Sequence, residues 1–139
     1  MGLLDGKVAI VTGAGGGLGR AHAMLLAQHG ASVVVNDLGG SRDGTGSGNS
    51  MADTVVEEIR AAGGHAAATY GSVTDDAAAA AMIQCAVDNF GRLDILINNA
   101  GILRDRSFKN MTDGEWDAVI DVHLRGSYLA TKHAWQQML

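Results

Sequence analysis

The amino-acid sequence predicts an α/β fold built on a doubly wound parallel sheet, and three observations carry that reading. Short, uniformly apolar runs alternate with longer helix-like stretches along the whole chain. The first run passes into the first helix through a glycine-rich turn, Thr12-Gly13-Ala14-Gly15-Gly16-Gly17-Leu18-Gly19. An acid, Asp37, closes the second run, 20 positions after Gly17. A β-α-β-α-β-α-β-α alternation with right-handed crossovers places four strands in the order 3-2-1-4, a Rossmann-type sheet in one domain spanning residues 1–139.

Residues 8–11 are apolar and rich in β-branched side chains, which suits a strand buried on both faces. Gly13, Gly17 and Gly19 follow in the spacing GxxxGxG, and residues 20–29 read as a helix. A strand that turns at once into a helix needs a residue free to take positive φ. A pyrophosphate on the helix N-terminus needs backbone without a Cβ in the way, and the helix must pack close to the strand. The first-turn N–H groups have no partner inside the helix, so they can bind phosphate oxygens. Residues 32–35 form the second strand, and a carboxylate at Asp37 can accept both hydroxyls of an adenosine ribose. A glycine triplet alone is a weak signal; with strand, turn, helix, strand and acid in order, it points to dinucleotide binding.

Residues 38–49 are rich in Gly and Ser and read as a loop beside the adenosine end of the cofactor. Ser50-Met51-Ala52-Asp53 has a capping pattern, Val55, Val56 and Ile59 supply an apolar stripe, and Gly63 and Gly64 end that helix. Residues 65–70 are a weaker strand, read mainly from its place in the alternation. Thr74 is expected to cap the third helix, with Asp75 and Asp76 in its first turn, and Gly91 to end it. Residues 93–97 read as another buried strand. Asn98-Asn99-Ala100-Gly101 then falls at its carboxyl end, where ligands of open α/β sheets bind. A last long helix starts near Thr112, with Glu115 completing a capping box, and runs toward Leu139. His123-Leu124-Arg125 and Gly126 mark a kink in it.

Composition excludes several classes. The chain is 47% hydrophobic and 18% charged, which is a globular composition. A net charge of −5 without a Lys/Arg cluster argues against nucleic acid as a partner. Cys85, the one cysteine, cannot form an internal disulfide and reads as a small apolar residue on a helix, in keeping with a reducing compartment. No apolar run approaches the length of a membrane span, and the N-terminus shows no signal peptide, so the expected location is the cytoplasm. No metal site is expected.

The Thr12–Gly19 loop together with Asn98-Asn99-Ala100-Gly101 resembles the short-chain dehydrogenase/reductase family, and the resemblance covers the entire chain. Three further stretches, 36–40, 101–108 and 122–127, are similar to the (3R)-hydroxyacyl-CoA dehydrogenase group within it, found in peroxisomal multifunctional β-oxidation enzymes and bacterial relatives. The resemblance implies a fold of about twice this length, NAD as cofactor, and oxidation of a secondary alcohol by hydride transfer. It implies that Gly13, Gly17, Leu18 and Gly19 hold the pyrophosphate and Asp37 the adenosine ribose. Ser72 and Val73 would flank the adenine, where most relatives carry Asp-Val, and Asn99 would sit near the nicotinamide-side ribose and help fix the strand ends. The family's catalytic serine, and the tyrosine and lysine of its YxxxK motif, are taken to lie outside these residues, with Tyr70 and Tyr128 not counted as substitutes. His123 stands where the family commonly has an asparagine supporting a proton-relay water. It keeps that water through its backbone carbonyl, or is simply a histidine hydrogen-bonded inside a helix pair.

The reading is therefore the cofactor half of an NAD-dependent dehydrogenase acting on a small-molecule hydroxyacyl thioester or another secondary alcohol, with a homo-oligomeric parent. Oxidation needs a base within hydrogen-bond reach of the hydroxyl, and these residues supply none. The 139 residues alone are thus expected to be inactive and to fold poorly. The competing reading is a non-catalytic dinucleotide-binding module or a truncated gene product. An NADPH-dependent oxoacyl carrier-protein reductase is disfavoured, because the glycine loop has no basic residue for a 2′-phosphate and Asp37 would repel one.

Overall fold

The computed structural model describes residues 2–39 and 50–139. Four parallel strands form one sheet in the order β3-β2-β1-β4. They are β1 (Val8–Thr12), β2 (Ser32–Asn36), β3 (His65–Thr69) and β4 (Ile95–Ile97). The helices are α1 (Gly17–Gln28), α2 (Ser50–Ala61), α3 (Asp76–Phe90), α4 (Asp113–Ile120) and α5 (Gly126–Met138). The predicted strand order holds.

The strand sequence decides which helix covers which face. Val11, Val33 and Val35 join one cluster with Ala23 of α1 and with Val55, Val56 and Ile59 of α2. Val8, Ile10 and Val34 point the other way, to Met82, Ile83 and Ala86 of α3 and to Ala130 and Ala134 of α5. Successive strand side chains face opposite sides, so a strand apolar at every position is what a doubly covered sheet requires. Burial of Val55, Val56 and Ile59 contributes about 1.5–3 kcal/mol each as an upper estimate.

Several local expectations change. The cap of α3 is Asp75, whose side chain accepts the N–H of Ala78 at 3.1 Å, and not Thr74. Thr74 is held instead by Ser72, whose Oγ accepts its N–H at 3.2 Å. The capping role of Ser50 concerns a side chain outside the described residues, as do residues 40–49 of the expected loop. At Thr112 and Glu115 the capping box is present in both directions. The expected kink is a π-helical turn, Asp121–Arg125, joining α4 to α5. Gly126 then runs so close to Val73 that a Cβ there would lie 2.6 Å from its Cγ2.

The strand expected over 93–97 is shorter and less buried. β4 covers three residues, all half-buried, at the sheet edge beside β1. Leu93 is buried outside the strand, and Asp94 ties β4 to β1. Its main-chain N–H donates to the Val8 carbonyl at 2.9 Å, and its Oδ2 accepts the Val8 N–H at 2.9 Å. The Arg92 guanidinium grips the same carboxylate at 2.6 and 2.8 Å. This guanidinium above all holds the Asp94 carboxyl below the usual carboxylate range; burial opposes it, and the Val8 N–H adds a smaller lowering. A depressed folded-state pKa gives stability that is present above the unfolded carboxylate range and lost as pH falls through the folded value. Asp94→Asn should therefore lower the urea midpoint at neutral pH, with the difference closing in acid as the native carboxylate protonates. Urea titrations at the two pH values check it; identical midpoints at neutral pH would refute it.

Candidate functional site

The two sequence motifs meet through one buried hydroxyl. Thr12, at the end of β1, is 1% exposed. Its Oγ1 accepts the main-chain N–H groups of Asn99 at 3.0 Å and Ala100 at 2.9 Å, and donates to the Ile97 carbonyl at 3.4 Å. Asn99 closes the clasp from the other side, its Nδ2 donating to the carbonyls of Thr12 at 3.1 Å and Gly13 at 3.2 Å. Asn98 is tied elsewhere, its Nδ2 donating to Thr131 Oγ1 of α5 at 3.1 Å.

This clasp divides the work among the glycines. Gly13 has φ +64°, and a Cβ there would lie 2.9 Å from the Ala100 Cα. Gly19 is buried beneath it, where a Cβ would run into the Gly13 carbonyl. Gly17, with φ +54°, is different: a Cβ there would meet nothing within 4 Å, because it faces an open cleft.

That cleft runs along the carboxyl ends of the strands and encloses about 890 Å³, within the range of cofactor sites. Gly13, Gly17, Leu18, Asp37, Ser72, Val73 and Asn99 all line it, so the structure brings these sequence-derived candidates together. Gly19 does not line it and acts from below. α1 starts at the cleft without a side-chain cap and without an acid in its first turn. Its N-terminal N–H groups and dipole are thus left to an external anion. The space before Gly17 and the uncapped helix fit a dinucleotide pyrophosphate.

Asp37 lines the cleft just beyond β2. Its Oδ2 accepts the Gly15 N–H and its Oδ1 the Gly39 N–H, each at 2.7 Å, tying the glycine turn to the exit of β2. A carboxylate oxygen has two acceptor sites, so each retains one for a ligand hydroxyl. Ser72 Oγ also lies 2.8 Å from Thr74 Oγ1. Asn36, which the sequence reading passed over, is 3% exposed and donates to Thr69 Oγ1 at 3.0 Å and to the Gly71 carbonyl at 3.1 Å. It fixes the path from β3 to Ser72. Met51, Arg104, Ala118, Asp121 and Val122 complete the wall. No local pattern marks these five, because the fold gathers them from three separate segments.

His123 lies in the π-helical turn, and its ring crosses Gly101. A Cβ at Gly101 would be 2.6 Å from the His123 Cε1. Nε2 is 3.2 Å from the Ile102 N and 3.0 Å from the Ile102 O, so the ring bonds the exit of β4 rather than a second helix. The His123 carbonyl accepts the Ser127 hydroxyl at 2.7 Å.

The tyrosines need one correction. Tyr128 does stand four residues before Lys132, a YxxxK spacing that the sequence reading overlooked. Geometry removes the pair from the cleft. Tyr128 is 59% exposed on α5, and the Lys132 ammonium lies 5.8 Å from its ring centroid and 3.1 Å from Asp76 Oδ1. Neither lines the cleft. Tyr70 donates to Asp53 at 2.5 Å, and this bond pushes its pKa up, the wrong direction for a phenolic base. Among the described residues no His/Cys/Asp/Glu group could hold a metal ion.

Two substitutions separate clasp from cradle. Thr12→Val fills similar space but strands the Ala100 N–H, worth about 1–3 kcal/mol when left unpaired in the interior, and leaves the Asn99 N–H only its bond to the Ile97 carbonyl. It should lower the unfolding midpoint, as read by circular dichroism. Gly17→Ala costs about 1–2 kcal/mol of backbone strain and projects a methyl into the cleft. It should weaken dinucleotide binding with the fold retained; unchanged affinity by calorimetry would show that the phosphates do not lie there.

A family model for short chain dehydrogenase matches residues 7–139. The chain is 55% identical over 134 residues to peroxisomal multifunctional enzyme type 2 of Mus musculus, covering 96% of this chain and 18% of that protein. It is 51% identical over 135 residues to a hydroxyacyl-CoA dehydrogenase of Mycobacterium tuberculosis, covering 94% of this chain and 40% of that one. Carveol dehydrogenase from Mycobacterium avium, solved in complex with NAD, superposes with a TM-score of 0.90 at 29% identity, over 99% of this chain and 51% of that one. The chain thus spans less than half the length of these two curated relatives. With a glycine turn and an Asn-Asn-Ala-Gly exit clasped at the head of a parallel sheet, and a match along residues 7–139, this chain belongs to the short-chain dehydrogenase/reductase family.

Proposed function

We propose that this chain is the cofactor-binding part of an NAD-dependent dehydrogenase that moves hydride between a 3-hydroxyacyl thioester and NAD. The observation that carries the cofactor choice is Asp37, a carboxylate lining the cleft just beyond β2, with no Lys or Arg among the described lining residues of the β2 exit. The substrate class is supported by the names of similar proteins, among them the hydroxyacyl-CoA dehydrogenase of Mycobacterium tuberculosis.

On this reading the α1 N-terminus at Gly17 and Leu18 holds the pyrophosphate, and Gly13 and Gly19 set the turn that presents it. Asp37 receives the adenosine ribose, Ser72 and Val73 flank the adenine, and Asn99 fixes the strand ends beside the nicotinamide-side ribose. The nicotinamide, when bound, supplies the hydride chemistry; these residues bind and orient. Among the described residues the titratable side chains lining the cleft are Asp37, Arg104 and Asp121, none of them a phenol or imidazole placed to take a hydroxyl proton. On this reading the base comes from outside these residues, and the 139 residues alone do not oxidise an alcohol. His123 acts here as a support for the Gly101–Ile102 exit.

Cofactor discrimination tests this reading. The protein should bind NAD more tightly than NADP. Asp37→Ala should cost about tenfold or more in NAD affinity, the worth of charge-assisted hydrogen bonds, and should narrow the ratio between the two cofactors. The ratio is the reading that matters, because Asp37 also ties two loops. Coincident calorimetric titrations with NAD and NADP in the unmutated protein would overturn the assignment.

A further inference from the structure

We propose that Arg104, with Lys109 beyond it on the same segment, anchors the phosphate-bearing end of a coenzyme A thioester. The connection between β4 and α4 then reads the carrier rather than the acyl chain. This rests on the thioester reading above. Arg104 is the one cation among the described residues that line the cleft, and it is half-buried there. Its hydrogen bond is to the carbonyl of its own neighbour, Leu103, at 3.3 Å. Other arginines have partners drawn from further away: Arg20 pairs with Glu58, Arg60 donates to the Ala66 carbonyl, and Arg106 pairs with Glu115. Among the described residues no carboxylate pairs with Arg104, and a bidentate phosphate contact is the arrangement the geometry of its guanidinium suits.

The surrounding segment fits the same ligand. Residues 103–109 carry Arg104, Arg106 and Lys109 against a single acid, Asp105, in a chain of net charge −5. Phe108 is 88% exposed and Leu103 61% exposed on that segment. They offer apolar surface for an adenine ring and a methylene arm beside cations for its phosphates. The dinucleotide's own pyrophosphate is already provided for at the uncapped start of α1. It leaves Arg104 free for a second phosphorylated ligand.

The test uses the whole protein that carries this chain. Its rate with (3R)-hydroxybutyryl-CoA is compared with that for the N-acetylcysteamine thioester, which presents the same reacting group without phosphates. The CoA ester should have the lower KM, and the preference should fade with added salt. R104Q should raise KM for the CoA ester about tenfold, while KM for the phosphate-free ester and for NAD stays within twofold (~2-fold). R104K should restore part of the loss, and K109Q should show a smaller rise of the same sign. An equal change for both thioesters, or a raised KM for NAD, would overturn the proposal. Wild-type enzyme that turns over both esters without preference overturns it while leaving the thioester reading intact. Turnover of neither overturns that reading and this one with it.

Discussion

The Thr12 hydroxyl stands between the end of β1 and the exit of β4, and the cleft depends on what it holds. It accepts two consecutive N–H groups, of Asn99 and Ala100, while Asn99 reaches back to the carbonyls of Thr12 and Gly13. Four main-chain groups at the ends of two strands are thereby satisfied in the interior without a regular ladder. The glycine turn and the Asn-Asn-Ala-Gly stretch are thus two halves of one object. The requirement for glycine at position 13 comes from this approach, since the Ala100 backbone occupies the space a Cβ would need.

Among the described residues Asp37, Arg104 and Asp121 are the charged side chains along the cleft that the clasp holds open. Asp37 lines it beyond β2, bound to the main-chain N–H groups of Gly15 and Gly39. The start of α1 offers N–H groups with no acidic side chain in its first turn. Arg104 lies in the wall contributed by the β4–α4 connection. A ligand with an uncharged diol and a pyrophosphate matches the first two features and leaves Arg104 to a second anionic ligand, and electrostatic complementarity of this kind selects orientation as much as it adds affinity.

The far wall is shaped by the π-helical turn at Asp121–Arg125. The wider turn carries the His123 ring over Gly101 and into contact with the main chain of Ile102, while Gly126 lets α5 close onto Val73. Such turns are frequent at functional sites because one extra residue re-aims the side chains around it. Here it links the cleft residue Val73, through Gly126 and His123, to the exit of β4. The Ser127 hydroxyl donates to the His123 carbonyl within this turn.

The sequence by itself determined the fold class, the strand order and most of the cleft, because each rests on local signals. Runs such as Val33-Val34-Val35 are apolar at every position and admit only a strand covered on both sides, and Gly17, Leu18 and Asp37 lie at fixed offsets from strand ends. Choices between neighbouring groups were decided by tertiary structure. Asp75 rather than Thr74 caps α3, since the cap is whichever side chain reaches the N–H three residues on. The edge position of β4 and the tie from Asp94 to Val8 arise between strands 86 residues apart in sequence, which no window contains. Met51, Arg104, Ala118, Asp121 and Val122 enter the cleft for the same reason. The Tyr128–Lys132 spacing shows the converse: a correct local pattern acquires no catalytic role when its helix turns it away from the cleft, because proton transfer depends on distance in space and not along the chain.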